Sequence, residues 1–241
     1  MKKIVIIADS LSLPRPKELG DIPYEGTYPY LLDMGLRTKL GNNAPVVMEK
    51  GKRARTITDV KNDWVEYVSW RKPEVVIVHV GIVDCAPRVF LPQQKVFVDR
   101  IRVLWLRKLI LHFVKKYRRN IIRLFPNRVY TPFDFYKATV QHIIELAMQD
   151  KIKALIFINT ISPPDSFEYR SPGCQKNVEM YNKILYQATL NKDVYLIDIN
   201  KIFSEGGLLD KYITNDCHHL TVEGNKVLAI HLQNLLLDIF M

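Results

Sequence analysis

Along the chain, short runs of β-branched and aliphatic residues alternate with longer stretches in which apolar residues recur every three or four positions. Five runs read as buried strands: Lys3–Ala8, Ala44–Met48, Val75–Val80, Ala154–Asn159 and Val194–Ile197. They are near-continuously apolar, the pattern of parallel strands covered on both faces. Helical spacing covers Tyr28–Leu40, Asp59–Arg71 with Thr58 as N-cap, Pro132–Gln149, Gln175–Leu190 and Thr221–Phe240. In the third of these, Phe135, Ala138, Ile143, Leu146 and Ala147 share one face. Loop signals fall at Leu13–Gly26, Ser162–Gly173 and Ser204–Gly207. Strand alternating with helix predicts an α/β fold, a parallel sheet with helices on both faces, whose sites form beyond the carboxyl ends of the strands. No repeat or linker divides the 241 residues, so one domain, 1–241, is expected.

One stretch departs from this pattern. Between the third and fourth strands, residues of about 96–128 read as a basic amphipathic helical insertion, a single helix or a hairpin. Arg100, Arg102, Arg107, Lys108, Lys115, Lys116, Arg118, Arg119, Arg123 and Arg128 carry ten positive charges with no acid among them. That equals the whole net charge of +10. Leu104, Trp105, Leu109, Phe113 and Tyr117 fall among these cations at roughly helical spacing. An anionic partner is expected for Arg100–Arg128, either a membrane surface or an acidic polysaccharide. A cover for the core or for a second copy, with the arginines in solvent, is the plainer alternative. Nucleic acid is disfavoured, since no recognition motif accompanies the charge.

Composition excludes other classes. Hydrophobic residues at 48% and charged residues at 25% are an ordinary globular balance. Cys85, Cys174 and Cys217 are scattered and odd in number, which fits a reducing compartment rather than a disulfide framework. Lys2–Ile7 is too short for a secretory apolar region, and no 18-residue apolar run suggests a membrane span. The expected location is the cytoplasm, peripheral to a membrane if the basic stretch docks there.

Four segments carry candidate chemistry. Asp9-Ser10 follows the first strand, where a serine can enter the cleft above the sheet or merely cap a turn. In Asp216-Cys217-His218-His219, an acid three residues before a histidine can bond Nδ1 and leave Nε2 free as a base. Plainer roles are a helix cap by Asp216 or Thr221, or a structural histidine pair. A metal bound by Asp216, Cys217, His218 and His219 is disfavoured, because adjacent residues rarely converge on one ion. His79-Val80-Gly81-Ile82-Val83-Asp84 closes the third strand, and Gly81 there allows close backbone approach or a tight turn. Gly51-Lys52-Arg53-Ala54-Arg55-Thr56 follows the second strand and offers backbone N–H groups and arginines, or simply a solvated basic loop.

Taken together, these segments resemble the four blocks of the SGNH (GDSL-type) hydrolase family. Ala8-Asp9-Ser10-Leu11 resembles the Gly-Asp-Ser block with alanine for glycine, and Asp216-x-x-His219 matches the Asp-x-x-His block. Gly81-x-Val83-Asp84 resembles Gly-x-Asn-Asp with valine for asparagine, Ala54 stands where the second block has glycine, and Asn182 resembles part of the family's helix before the last strand. The likeness spans nearly all of the sequence outside Arg100–Phe125. It implies a three-layer α/β/α sandwich around a flavodoxin-like five-stranded parallel sheet, with no cofactor. It also implies a serine esterase acting on a small acyl, acetyl-like ester of a carbohydrate or polysaccharide through Ser10, His219 and Asp216. Ser10, Ala54 and Gly81 would form the oxyanion hole, and Asp9, Arg55, Asp84 and Arg88 would contact substrate. Val83 removes one donor, so weak activity is expected unless Arg55, Arg88 or His79 replaces it. An O-acyltransferase of surface-polysaccharide assembly and a catalytically weak glycan- or membrane-binding protein remain the alternatives. An α/β-hydrolase needs a G-x-S-x-G elbow near the middle of the sequence, which is missing.

Overall fold

A computed structural model of the protein describes residues 2–125, 127–207 and 209–240. Its strands are β1 (Lys3–Ala8), β2 (Val46–Gly51), β3 (Val75–His79), β4 (Ala154–Ile158) and β5 (Val194–Ile197). All pairings are parallel, in the order β2-β1-β3-β4-β5. The helices are α1 (Tyr28–Leu40), α2 (Ile57–Asn62), α3 (Ile82–Cys85), α4 (Pro92–Asp99), α5 (Leu104–Leu124), α6 (Phe133–Gln149), α7 (Asp165–Arg170), α8 (Cys174–Ala188), α9 (Ile199–Glu205) and α10 (Val222–Phe240).

Strand geometry sends successive side chains to opposite faces, and here both faces are apolar. Val5, Ile7, Val76, Val78, Leu155 and Phe157 point into one core with Trp64, Ile143 and Leu185, which come from the α2, α6 and α8 side. Ile4, Ile6, Ala8, Ile77 and Ile156 point into the other with Leu32 of α1, Phe203 of α9 and Leu232 of α10. Two buried layers therefore clamp the sheet, each fully buried aliphatic side chain contributing about 1.5–3 kcal/mol. This is the expected three-layer sandwich.

Some boundaries differ from the sequence pattern. The second strand begins at Val46 and continues to Gly51, because Lys3–Ala8 pairs with Val46–Gly51 residue for residue. The N-cap after it is Thr56, not Thr58. Asp59 N–H donates to Thr56 Oγ1 and Thr56 N–H donates to Asp59 Oδ2, a reciprocal capping box that starts α2 at Ile57. The insertion is a helical pair, α4 and α5.

The backbone passes from β1 to β2 on one side and returns to β3 on the other, so the crevice of the sheet opens between β1 and β3. Gly81 leaves β3 at φ +153°, and a Cβ there would collide with Thr160 Oγ1. Thr160 cannot retreat easily, since Asn182 Oδ1 accepts its N–H (2.9 Å) and Asn182 Nδ2 donates to its carbonyl (2.7 Å). Gly81→Ala is therefore expected to lower stability by about 1–3 kcal/mol through backbone strain. Urea unfolding checks this, and an unchanged midpoint would mean that residue 81 and Thr160 shift without cost.

Candidate active site

Ser10 owes its position to Asp9. The Asp9 N–H still donates to His79 O (3.1 Å), continuing the β1–β3 edge. Its carboxylate Oδ1 then accepts the Leu11 N–H (2.9 Å), curling Ser10–Ser12 into a single tight turn above the sheet. A short side chain that bonds the backbone two residues ahead is the usual way to start such a turn.

The opposite wall is the loop before α10. Thr214 N–H donates to His219 O and Cys217 N–H to Thr214 O, both at 2.8 Å, while Cys217 takes a positive φ of +73°. Inside this loop, Asp216 Oδ1 accepts the N–H groups of His219 (3.1 Å) and His218 (3.3 Å) and the hydroxyl of Thr214 (2.8 Å). Asp216 Oδ2 lies 2.8 Å from His219 Nδ1 and 2.9 Å from the Arg15 guanidinium. His219 Nε2 then reaches Ser10 Oγ at 2.9 Å. A carboxylate at Nδ1 requires the proton there, which leaves the Nε2 lone pair facing the hydroxyl.

Burial pushes the Asp216 carboxyl upward, but the hydrogen bond from His219 and the charges of His218 and His219 outweigh it. Asp216 is held well below the usual carboxylate range and stays ionised. Burial and the neighbouring His219 lower His218 to about 4, so it is neutral at neutral pH. The donor atoms of Asp216, His218 and His219 lie within 4.8 Å of one another. They are engaged with Arg15, Ser10, one another and the Asp216 carbonyl, which His218 Nδ1 meets at 3.0 Å.

The pocket above Ser10 has a volume of about 170 Å³ and is lined by Leu13, Pro14, Arg15, Leu19, Arg53 and His219. Among the described residues, neither the Ser10 N–H nor the Ala54 N–H donates to a protein acceptor, and Ala54 adopts φ +58°. Val83 is buried in α3 within the apolar core and offers no side-chain donor.

The substrate-contact role expected for Asp9, Arg55, Asp84 and Arg88 does not match their surroundings. Asp9 and Asp84 are fully buried and Arg55 is 1% exposed. Asp84 accepts the Ile57 N–H (3.0 Å) and the Thr131 hydroxyl (2.5 Å), fastening the start of α2. Arg55 donates to Lys50 O and pairs with Asp63 (2.9 Å). Arg88 donates to the Val83 carbonyl (3.2 Å) and lies over the Tyr130 ring. All four are engaged with other parts of the protein. His79 is buried, lowered by burial to about 3, and beside the Tyr28 hydroxyl. Conversely, Arg15 and Thr214 escape a linear reading, because no spacing links Arg15 to an aspartate some two hundred positions away.

Asp9 Oδ2 is buried without a partner, and burial, with the charge of Asp84, raises the group to about 7. Its folded-state affinity for a proton thus exceeds the unfolded value of 3.8. Between pH 4 and 7 the native state binds more protons than the unfolded state, so this group makes stability fall as pH rises. Asp9→Asn should flatten that fall by up to about 1.4 kcal/mol per pH unit. Denaturant melts across pH 4–8 test this through the slope. An identical slope in both proteins would show that Asp9 is ionised throughout.

No family model and no curated protein matches the sequence. Solved structures do match. An acetylxylan esterase from Geobacillus stearothermophilus superposes with a TM-score of 0.65 at 20% identity, over 97% of this chain and 93% of that one. A lipase/acylhydrolase from Enterococcus faecalis has a TM-score of 0.67 at 15% identity, over 97% and 94%. For LAE5, an alpha/beta hydrolase enzyme from the metagenome of Lake Arreo, Spain, the TM-score is 0.64 at 16% identity, over 97% and 94%. With its all-parallel five-stranded sheet and this superposition, the protein has the α/β fold of the SGNH hydrolases.

Proposed function

We propose that this protein is a serine esterase that removes a small, acetyl-like acyl group from a carbohydrate. The observation that carries the reading is the unbroken relay from Ser10 Oγ through His219 to Asp216, at 2.9 and 2.8 Å. His219 Nε2 takes the Ser10 proton as Oγ attacks the ester carbonyl, and Asp216 stabilises the imidazolium that forms. The same proton passes to the leaving alcohol, the C–O bond breaks, and an acyl-serine remains. Water, deprotonated by His219, then releases the acid and restores Ser10.

Further support comes from the neighbours. Structures of the Geobacillus acetylxylan esterase include catalytic mutants in which a serine, an aspartate or a histidine is replaced by alanine. The narrow pocket suits a short acyl group better than a long one. Arg15 and Arg53 in its wall suit the hydroxyl-rich or anionic body of a glycan. The oxyanion is held by the N–H groups of Ser10 and Ala54. With Val83 in place of a side-chain donor, kcat should fall about 10²–10³-fold below that of a site with all three.

Intact-mass measurement after a fluorophosphonate probe is expected to show one adduct on the wild type and none on Ser10→Ala or His219→Ala. Hydrolysis of p-nitrophenyl acetate and of acetylated xylo-oligosaccharides should fall to background in Ser10→Ala. It should drop by up to about 10⁴-fold in Asp216→Asn, which loses the acceptor that fixes the imidazole. A folded wild type that neither labels nor hydrolyses these esters would sink the reading.

A further inference from the structure

The most unusual surface of the molecule is α5. On a helix of 21 residues, roughly 30 Å long, only Ile122 is buried. Its inner side is fixed by few contacts: Arg118 donates to Ser171 Oγ (2.8 Å), and Arg119 stacks over Tyr169 at 3.9 Å. Leu106, Leu109, Phe113, Tyr117 and Leu124 recur three, four or seven positions apart and all face outward, Leu109 at 58% and Phe113 at 56% exposure. Trp105 at the start of α5 and Phe97 on α4 are more exposed still. Lys108, Lys115, Lys116 and Arg123 are exposed on the same helix, Lys116 and Arg123 beside the stripe, and among the described residues no carboxylate pairs with any of them. Behind the stripe, Phe90, Phe97, Val98, Val114 and Ile121 line an apolar groove of about 520 Å³.

An apolar stripe edged by unpaired cations is complementary to one kind of surface, the interface of an anionic bilayer, where acyl tails meet the stripe and phosphates meet the lysines. A soluble acidic glycan would pair with the cations and leave Leu109, Phe113 and Trp105 in water. Among the described residues, no helix is long and apolar enough to cross a membrane, so the fit is to a helix lying in the surface. The helix is also well placed. It is inserted after β3, at the carboxyl end of the sheet where Ser10 follows β1. It abuts α7, whose Phe167 packs edge-on against His218 and whose Ser166 and Arg170 approach Cys217 Sγ at 3.7 Å. We infer that the exposed face of α5, with the tip of α4, docks the protein on anionic phospholipid membranes.

The test uses the full-length protein carrying Ser10→Ala, so that it is independent of ester turnover. Cosedimentation with phosphatidylcholine vesicles, with and without phosphatidylglycerol, should show binding only to the anionic vesicles, weakening as salt is raised. A Leu109→Glu/Phe113→Glu variant should lose that binding. Lys108→Gln/Lys115→Gln/Lys116→Gln should weaken it about 10²-fold. Both changes lie on exposed positions, and circular dichroism of each variant should match the parent. Trp105 emission should shift to the blue on vesicles, and Trp105→Phe should abolish the shift. Restored to Ser10, the variants should hydrolyse soluble p-nitrophenyl acetate at the parental rate. Indifference to phosphatidylglycerol would overturn the inference. So would vesicle binding that survives Leu109→Glu/Phe113→Glu, or retention on an acidic polysaccharide without any binding to vesicles.

Discussion

One carboxylate organises the site. Asp216 gathers the imidazole N–H of His219, the backbone N–H groups of His218 and His219, the Thr214 hydroxyl and the Arg15 guanidinium. Three of these close the loop before α10 on itself, one aims the imidazole at Ser10, and the last ties that loop to the segment after β1. A neutral acceptor would satisfy some of these donors but would favour a protonated imidazole less. Ionisation of Asp216 is therefore a structural and a chemical requirement at once, and the same hydrogen bonds that shape the loop keep the group ionised despite its partial burial.

Beneath the relay, the crevice floor works by the opposite rule. Asp9 and Asp84 are buried acids raised to about 7, with desolvation as the leading cause in both. One starts the Ser10 turn and the other anchors the first turn of α2, so each uses its oxygens as fixed acceptors for backbone N–H groups. Their cost is set against the rigidity of the two segments that carry the Ser10 and Ala54 N–H groups.

The inner strands β1, β3 and β4 were legible in the sequence, because a parallel strand buried on both faces leaves no polar position to confuse with a helix, whereas the half-buried edge strand β2 carries Glu49 and Lys50 and its end was not. The convergence of Ser10, Asp216 and His219 was legible as well, since each stands where strand or helix punctuation makes a polar residue conspicuous. Local competition decided what was not. Thr56 and Thr58 are both good caps, and only the partner found in Asp59 selects Thr56. Arg55, Asp84 and Arg88 look like ligand-binding charges in a linear reading, yet Asp63, Ile57, Thr131 and the Val83 carbonyl consume them. Arg15 had no linear signal, because its partner Asp216 is distant in sequence and only folding brings the two together.

Because α5 buries a single residue, the two-layered core closes without it. Besides Ile122, only a few polar and stacking contacts, centred on Arg118, Arg119 and α7, join it to the body. The helix is therefore an accessory to the core: its outer face can change in charge and apolarity without unpacking the sheet or disturbing the relay. The outer face of α5 and the grouping around Ser10 are, in this architecture, separately adjustable.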